Sequence, residues 1–102
     1  MKKLSQRAAL VTGGGRRIGA GIVKALAADG WFVYIHCHKS SNEASEVLQE
    51  IKADNGNGIV ITQDLSERGA AESLMRKVET GPAPLMALIN NASLFEYDTV
   101  ET

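Results

Sequence analysis

Thr12-Gly13-Gly14-Gly15-Arg16-Arg17-Ile18-Gly19 is the stretch of this sequence best suited to hold an anion. Glycines let backbone amides approach a pyrophosphate closely, and the N-terminus of a following helix adds unpaired N–H groups and partial positive charge. Neither common phosphate fingerprint is met in full. Gly13 and Gly15 are followed by Ile18 where G-x-G-x-x-G has its third glycine, and Ala20-Gly21 replaces the lysine and hydroxyl residue of a Walker loop. Taken alone, the run is either a tight connection or a phosphate cradle.

A second cluster, His36-Cys37-His38-Lys39-Ser40, follows an apolar run, and no Asp or Glu lies between Gly30 and Asn42. In dinucleotide-binding folds a carboxylate at the tip of the second strand bonds the ribose hydroxyl of NAD, whereas basic groups accept the 2′-phosphate of NADP. Arg16, Arg17, His36, His38, Lys39 and Ser40 are therefore expected to gather around a 2′-phosphate, with NADP(H) as the cofactor. The competing reading makes the cations solvated surface charges, the histidines surface side chains and Ser40 a helix cap. His36 and His38 alternate on one strand face but have few thiol or carboxylate neighbours, so no metal site is expected. Cys37, the single cysteine, is expected to be a buried or half-buried free thiol.

The elements that must position these groups follow from the apolar pattern. Ala8-Ala9-Leu10-Val11, Trp31 to Ile35, Ile59-Val60-Ile61 and Leu85 to Ile89 are unbroken apolar runs, which suits parallel strands buried on both faces. Between them lie three helical patterns. Ile18, Ile22, Val23 and Leu26 form the first apolar face, which stops near Gly30. Ala44, Val47, Leu48 and Ile51 form the second, with Ser40 and Glu43 spaced as a capping box and Asn55-Gly56-Asn57-Gly58 as its end. Leu74, Met75 and Val78 form the third, capped by Ser66 and stopped at Gly81-Pro82. The order predicts an α/β, Rossmann-like, doubly wound parallel sheet reduced to about four strands and three helices, in spatial order 3-2-1-4. Residues 1–102 then form a partial dinucleotide-binding domain. Strand four is left as an open edge, and the natural protein is expected to continue past Thr102.

The bulk properties limit the partners. Eleven basic and twelve acidic residues give a formal net charge of -1, so no overall field recruits nucleic acid or an anionic membrane. The apolar runs are far shorter than the ~20 residues of a membrane span, and Met1-Lys2-Lys3-Leu4 is not followed by a signal-like stretch. A cytoplasmic location is expected.

With these pieces in place, the chain resembles the short-chain dehydrogenase/reductase family from Leu10-Val11-Thr12-Gly13 to Asn90-Asn91-Ala92-Ser93, and within it the pteridine-reductase branch. The family loop is T-G-x-x-x-G-x-G. Arg17 stands at its middle glycine, a departure that the pteridine reductases share. They also resemble this chain at His36 to Ser40, at Asp64-Leu65 and at Asn-Ala-Ser followed by a phenylalanine. The resemblance implies that Gly13, Ile18 and Gly19 belong to the cofactor loop, and that Arg17, His36, Lys39 and Ser40 surround the 2′-phosphate. It implies that Asp64 and Leu65 border the adenine, and that Asn91, Ala92 and Ser93 line the ribose and nicotinamide side. Phe95 matches an aromatic that stacks on the pterin ring. The plainer readings make Asp64 part of a helix cap, Phe95 a core side chain, and Asn90 a buried amide bonded to the sheet backbone.

The resemblance implies hydride transfer between NADPH and a carbonyl or pterin-type substrate, in a protein whose relatives are often homo-oligomers. The family's catalytic tyrosine, with a lysine four residues later, is missing: Tyr34 is followed at that spacing by His38, and Tyr97 by Glu101. Ser93 is the one catalytic candidate here. The alternative is a non-enzymatic NADP(H)-binding or interaction module.

Overall fold

The computed structural model describes residues 7–15, 17–39 and 41–91. Strand β1 (Ala8–Thr12) leads through the glycine turn to helix α1 (Arg17–Ala28), and β2 (Phe32–Cys37) leads to α2 (Ser41–Ala53). Then come β3 (Asn57–Thr62), α3 (Ala70–Glu79) and β4 (Leu85–Asn90). The strands are parallel in the order β3-β2-β1-β4, as the pattern predicts. Every crossover is a helix, and the polar residues that end the strands gather along one edge of the sheet.

Two apolar layers hold the sheet between helices. On one face Val11, Val33, Ile35 and Cys37 pack against Val23 and Ala27 of α1 and Ala44, Val47 and Ile51 of α2. On the other, Ala8, Leu10, Phe32, Tyr34 and Ile61 pack against Leu74 and Val78 of α3. Successive strand residues alternate between these layers, which explains why β1 and β2 are buried along their whole lengths. The other two strands depart from the expectation of burial on both faces. β3 and β4 are the edges of the sheet among the described residues: β3 buries only Gly58 and Ile61, and β4 alternates in exposure, leaving Met86 and Leu88 open to solvent.

Several boundaries differ from the sequence reading. β2 extends two residues past Ile35, because His36 and Cys37 continue the ladder to Ile61 and Thr62; both are buried strand residues. β3 starts at Asn57, opposite Phe32, so Asn57 and Gly58 belong to the strand and the stop of α2 falls earlier, where the Gly56 N–H bonds to the Ile51 carbonyl. Ile18 does not join the apolar face of α1: it is 73% exposed, and Gly19, Val23 and Ala27 form the buried stripe instead. Ser66 does not cap α3, which begins at Ala70 after Gly69 with no side-chain cap. Gly30 does end α1, with Gly30 and Trp31 N–H groups donating to the Ala27 and Leu26 carbonyls. Ser40 of the expected capping box lies outside the described residues.

Tyr34 fastens the α3–β4 loop to the sheet. Its hydroxyl, fully buried, donates to the Ala83 carbonyl at 2.6 Å and accepts from the Ala83 N–H at 3.2 Å, and its ring meets Phe32 edge-on at 5.1 Å. Tyr34→Phe leaves two buried backbone groups without this partner and is expected to cost about 1–3 kcal/mol in denaturant unfolding. Lys24→Ala, which removes the half-exposed Lys24–Glu50 pair, is expected to cost under about 1 kcal/mol in the same assay.

Candidate functional site

The site is built where the strand order reverses, at the C-terminal ends of β1 and β4 and the neighbouring ends of β2 and β3, the usual ligand position in such sheets. β1 ends at Thr12, a buried hydroxyl that accepts from the Asn91 N–H at 2.8 Å and donates to Asn90 Oδ1 at 3.1 Å. The Asn91 side-chain amide donates to the Gly13 carbonyl at 3.3 Å. β4's exit is thereby locked to the start of the turn. Asn90 departs from its plainer reading as a buried amide bonded to the sheet backbone: it is exposed, and its Oδ1 accepts from the Thr12 hydroxyl.

Gly13 has φ 66°, the left-handed region that glycine enters without strain. Gly19, in the first turn of α1, lies so close to this backbone that a Cβ would collide with the Gly13 carbonyl oxygen and come within 2.6 Å of Asn91 Nδ2. Arg17, with φ 40°, occupies the same left-handed region without glycine's freedom, at a cost of about 1–2 kcal/mol. Its side chain is exposed at the head of α1, and so is Ile18 beside it. The amides of this first turn have no acceptor within the helix and are available to an anion.

His36 stands behind the turn, 2% exposed. Its Nδ1 accepts from the Gly13 N–H at 3.2 Å, its carbonyl accepts from the Gly14 N–H at 2.9 Å, and its Nε2 lies 2.8 Å from the Gln63 carbonyl. These partners assign the neutral tautomer with the proton on Nε2, donating to Gln63. Burial is the main cause that lowers its pKa from 6.5; the Gln63 bond works in the opposite direction, and His38 adds to the lowering.

Beyond β2, His38 and Lys39 are exposed. His38 Nε2 lies 3.4 Å from Asp64 Oδ2, while Asp64 Oδ1 accepts from the Ser66 hydroxyl at 2.7 Å and the Ser66 N–H at 2.9 Å. The Ser66 bonds, with His38 and Lys39 assisting, hold the Asp64 carboxyl below its ordinary 3.8. Asp64 thus organises the loop before α3, the position at which Ser66 had been expected to act as a cap. Leu65 packs partly into the α3 layer.

Gly13, Gly19, His36 and Asn91 are thus joined through the turn, and His38, Lys39 and Asp64 form a charged group at the tips of β2 and β3. Arg16, Ser40, Ala92, Ser93 and Phe95 lie outside the described residues. Thr12 enters the sequence reading only as the start of the glycine loop, without its bonds to β4, and Gln63 does not enter it. A hydroxyl at the end of a buried strand was a signal for Thr12; Gln63 acts through its carbonyl, which side-chain type does not reveal. Among the described residues, no group of three His, Cys, Asp or Glu side chains could hold a metal ion, and no helix is long and apolar enough to cross a membrane.

Comparison with known proteins places this geometry. The family model described as short chain dehydrogenase matches residues 7–102. An uncharacterized oxidoreductase of Methylorubrum extorquens is 35% identical over 101 residues, 99% of this chain and 41% of that protein. The chain therefore spans under half the length of that relative. Among solved structures, the FolM alternative dihydrofolate reductase 1 of Brucella canis, complexed with NADP, superposes with a TM-score of 0.79 at 38% identity, over 90% of this chain and 36% of that one. A 3-oxoacyl (acyl-carrier-protein) reductase of Agrobacterium tumefaciens with NADP bound gives 0.79 at 40% identity, over 87% and 34%.

The neutral, buried state of His36 makes stability pH-dependent. Because its folded pKa lies below its unfolded 6.5, the unfolded chain takes up the proton first, and stability present above about pH 6.5 is lost as pH falls from there. Urea unfolding at pH 8 and pH 5 is expected to show this decline, and His36→Asn, with no titrating ring, to reduce it.

Proposed function

This chain belongs to the short-chain dehydrogenase family, and on that premise we propose that it forms the NADP(H) site of a reductase exchanging hydride with a carbonyl or pterin-type substrate. The observation that carries the cofactor choice is the charge at the tip of β2. Exposed His38 and Lys39 stand there, Arg17 is exposed at the head of α1, and no acidic residue occurs between Gly30 and Asn42. Such a donor set fits a 2′-phosphate dianion, and the neighbouring carboxylate, Asp64 at the tip of β3, is engaged by Ser66 and His38. Charge-assisted hydrogen bonds contribute roughly 1.5–3 kcal/mol each, so two of them amount to a preference of about a hundredfold or more over NADH.

In this reading Arg17, Lys39 and His38, with Arg16 and Ser40, hold the 2′-phosphate. The first-turn amides of α1 and the backbone at Gly13 and Gly19 receive the pyrophosphate, with Ile18 packing at its side. Asp64 and Leu65 border the adenine, while Asn91, Ala92 and Ser93 line the ribose and nicotinamide. Bound NADPH would supply the hydride. Tyr34 is no acid for the accompanying proton, since its buried hydroxyl is bonded to Ala83. The names of the two NADP-bound neighbours support one substrate class each, a pterin-like dihydrofolate in the first and a 3-oxoacyl carbonyl in the second.

Arg17 supplies the sharpest test of the cofactor site, because its backbone strain and its charge pull in opposite directions. Arg17→Gly is expected to raise stability by about 1 kcal/mol by relieving the left-handed backbone, yet to weaken NADPH by tenfold or more in a fluorescence titration. Arg17→Ala should weaken NADPH as much without the stabilisation. Equal affinity of the wild-type protein for NADPH and NADH would overturn the reading. For the substrate, Phe95→Ala is expected to reduce turnover of a pterin far more than that of a simple ketone; equal losses would sink the stacking role.

A further inference from the structure

The cofactor-site resemblance assigns His36 to the 2′-phosphate, but its geometry suits another task. The side chain is 2% exposed and both ring nitrogens are engaged, on one side by the Gly13 N–H and on the other by the Gln63 carbonyl. Its own carbonyl holds the Gly14 N–H. One residue of β2 therefore ties the glycine turn after β1 to the segment that leaves β3.

We propose that His36 is a positioning residue: neutral, it sets the spacing between the pyrophosphate turn and the Gln63–Leu65 segment, and protonation at Nδ1 releases the turn and weakens binding of either nicotinamide dinucleotide. This rests on the cofactor reading above and adds to it a group that acts through the backbone.

The chemistry follows from the tautomer. Nδ1 can accept from Gly13 only through its lone pair, and a proton there turns an acceptor into a donor facing a donor. The Gly13 N–H, partly buried, would then lose its acceptor and face a like donor instead. The turn must shift to relieve it. Gln63 is unaffected by the change, since Nε2 donates in both states; the release is confined to the side of the turn.

The charged groups near the elements around His36 include Arg17 beyond the β1 turn, His38 and Lys39 at the end of β2, Asp64 beyond β3, and Lys77 of α3, whose ammonium donates to Gln63 Oε1 at 3.0 Å. His38 disfavours a second positive charge on its neighbour. Asp64 directs its oxygens to Ser66 and His38. Burial and His38 together place the switch on the acid side of neutrality.

The test measures dissociation constants of NADPH and of NADH from the protein between pH 5 and pH 8, alongside the amide shift of Gly13 by NMR. NADH matters because NADPH carries a 2′-phosphate that titrates in the same range. Below the His36 transition, one linked proton weakens binding toward about tenfold per pH unit. Both dinucleotides are expected to follow this slope, and the Gly13 amide to follow the same curve. His36→Asn, whose carbonyl oxygen can accept from Gly13 without titrating, is expected to lose the slope for NADH. The proposal is overturned if the NADH slope persists unchanged in His36→Asn, or if the Gly13 amide does not respond as His36 titrates; this second readout needs only the wild-type protein. A Gly13 amide that follows His36 in a protein binding neither dinucleotide at pH 8 would instead bring down the cofactor reading and the affinity role with it.

Discussion

The chain leaving β1 turns into α1 through a stretch that is mostly buried, and the polar groups on the inner side of that turn need partners within the protein. Thr12, Gly14 and Gly15 are buried, and Gly13 is only partly open. A turn without side chains can satisfy little by itself, so the partners come from the strands on either side. The order β3-β2-β1-β4 supplies both, with His36 reaching in from β2 and Asn91 from the exit of β4. The close passage of Gly19 over Gly13 completes the arrangement, and the head of α1 is set by it.

From that constraint the rest of the site acquires its direction. With the inner edge of the turn taken up by His36, Thr12 and Asn91, the first-turn amides of α1, Arg17 and Ile18 are what remain facing outward. Arg17 keeps a conformation that glycine would adopt at no cost, a local strain of the kind that persists where the surrounding structure over-determines it and that is often found at functional sites. The loops after β2 and β3 face the same side and meet through His38 and Asp64. A chain with net charge of only -1 thus concentrates a basic group locally, where a dianion can use it.

The apolar pattern was enough to order the elements, to name the faces of α2 and α3 and to end α1 at Gly30, because burial and helix termination are written in side-chain type and spacing. It also pointed to the glycine turn and to the basic tip of β2. It was less informative at strand ends. His36 read as a residue after the strand because histidine is polar, yet it is buried within β2, since two backbone partners remote in sequence satisfy both its nitrogens. Ile18 read as core because it is apolar and correctly spaced, yet the start of α1 turns it outward, for the position against the sheet is one where only glycine fits.

What the sequence by itself determined was therefore the parallel α/β architecture, the glycine connection and the lack of a carboxylate between Gly30 and Asn42, properties that depend on local composition and on periodicity. Only the tertiary structure decided which nitrogen of His36 carries its proton, that Asp64 serves Ser66 and His38, and that Thr12 joins β1 to β4. Those outcomes depend on hydrogen bonds between groups as far as 79 positions apart in the chain. No window along the sequence contains both partners.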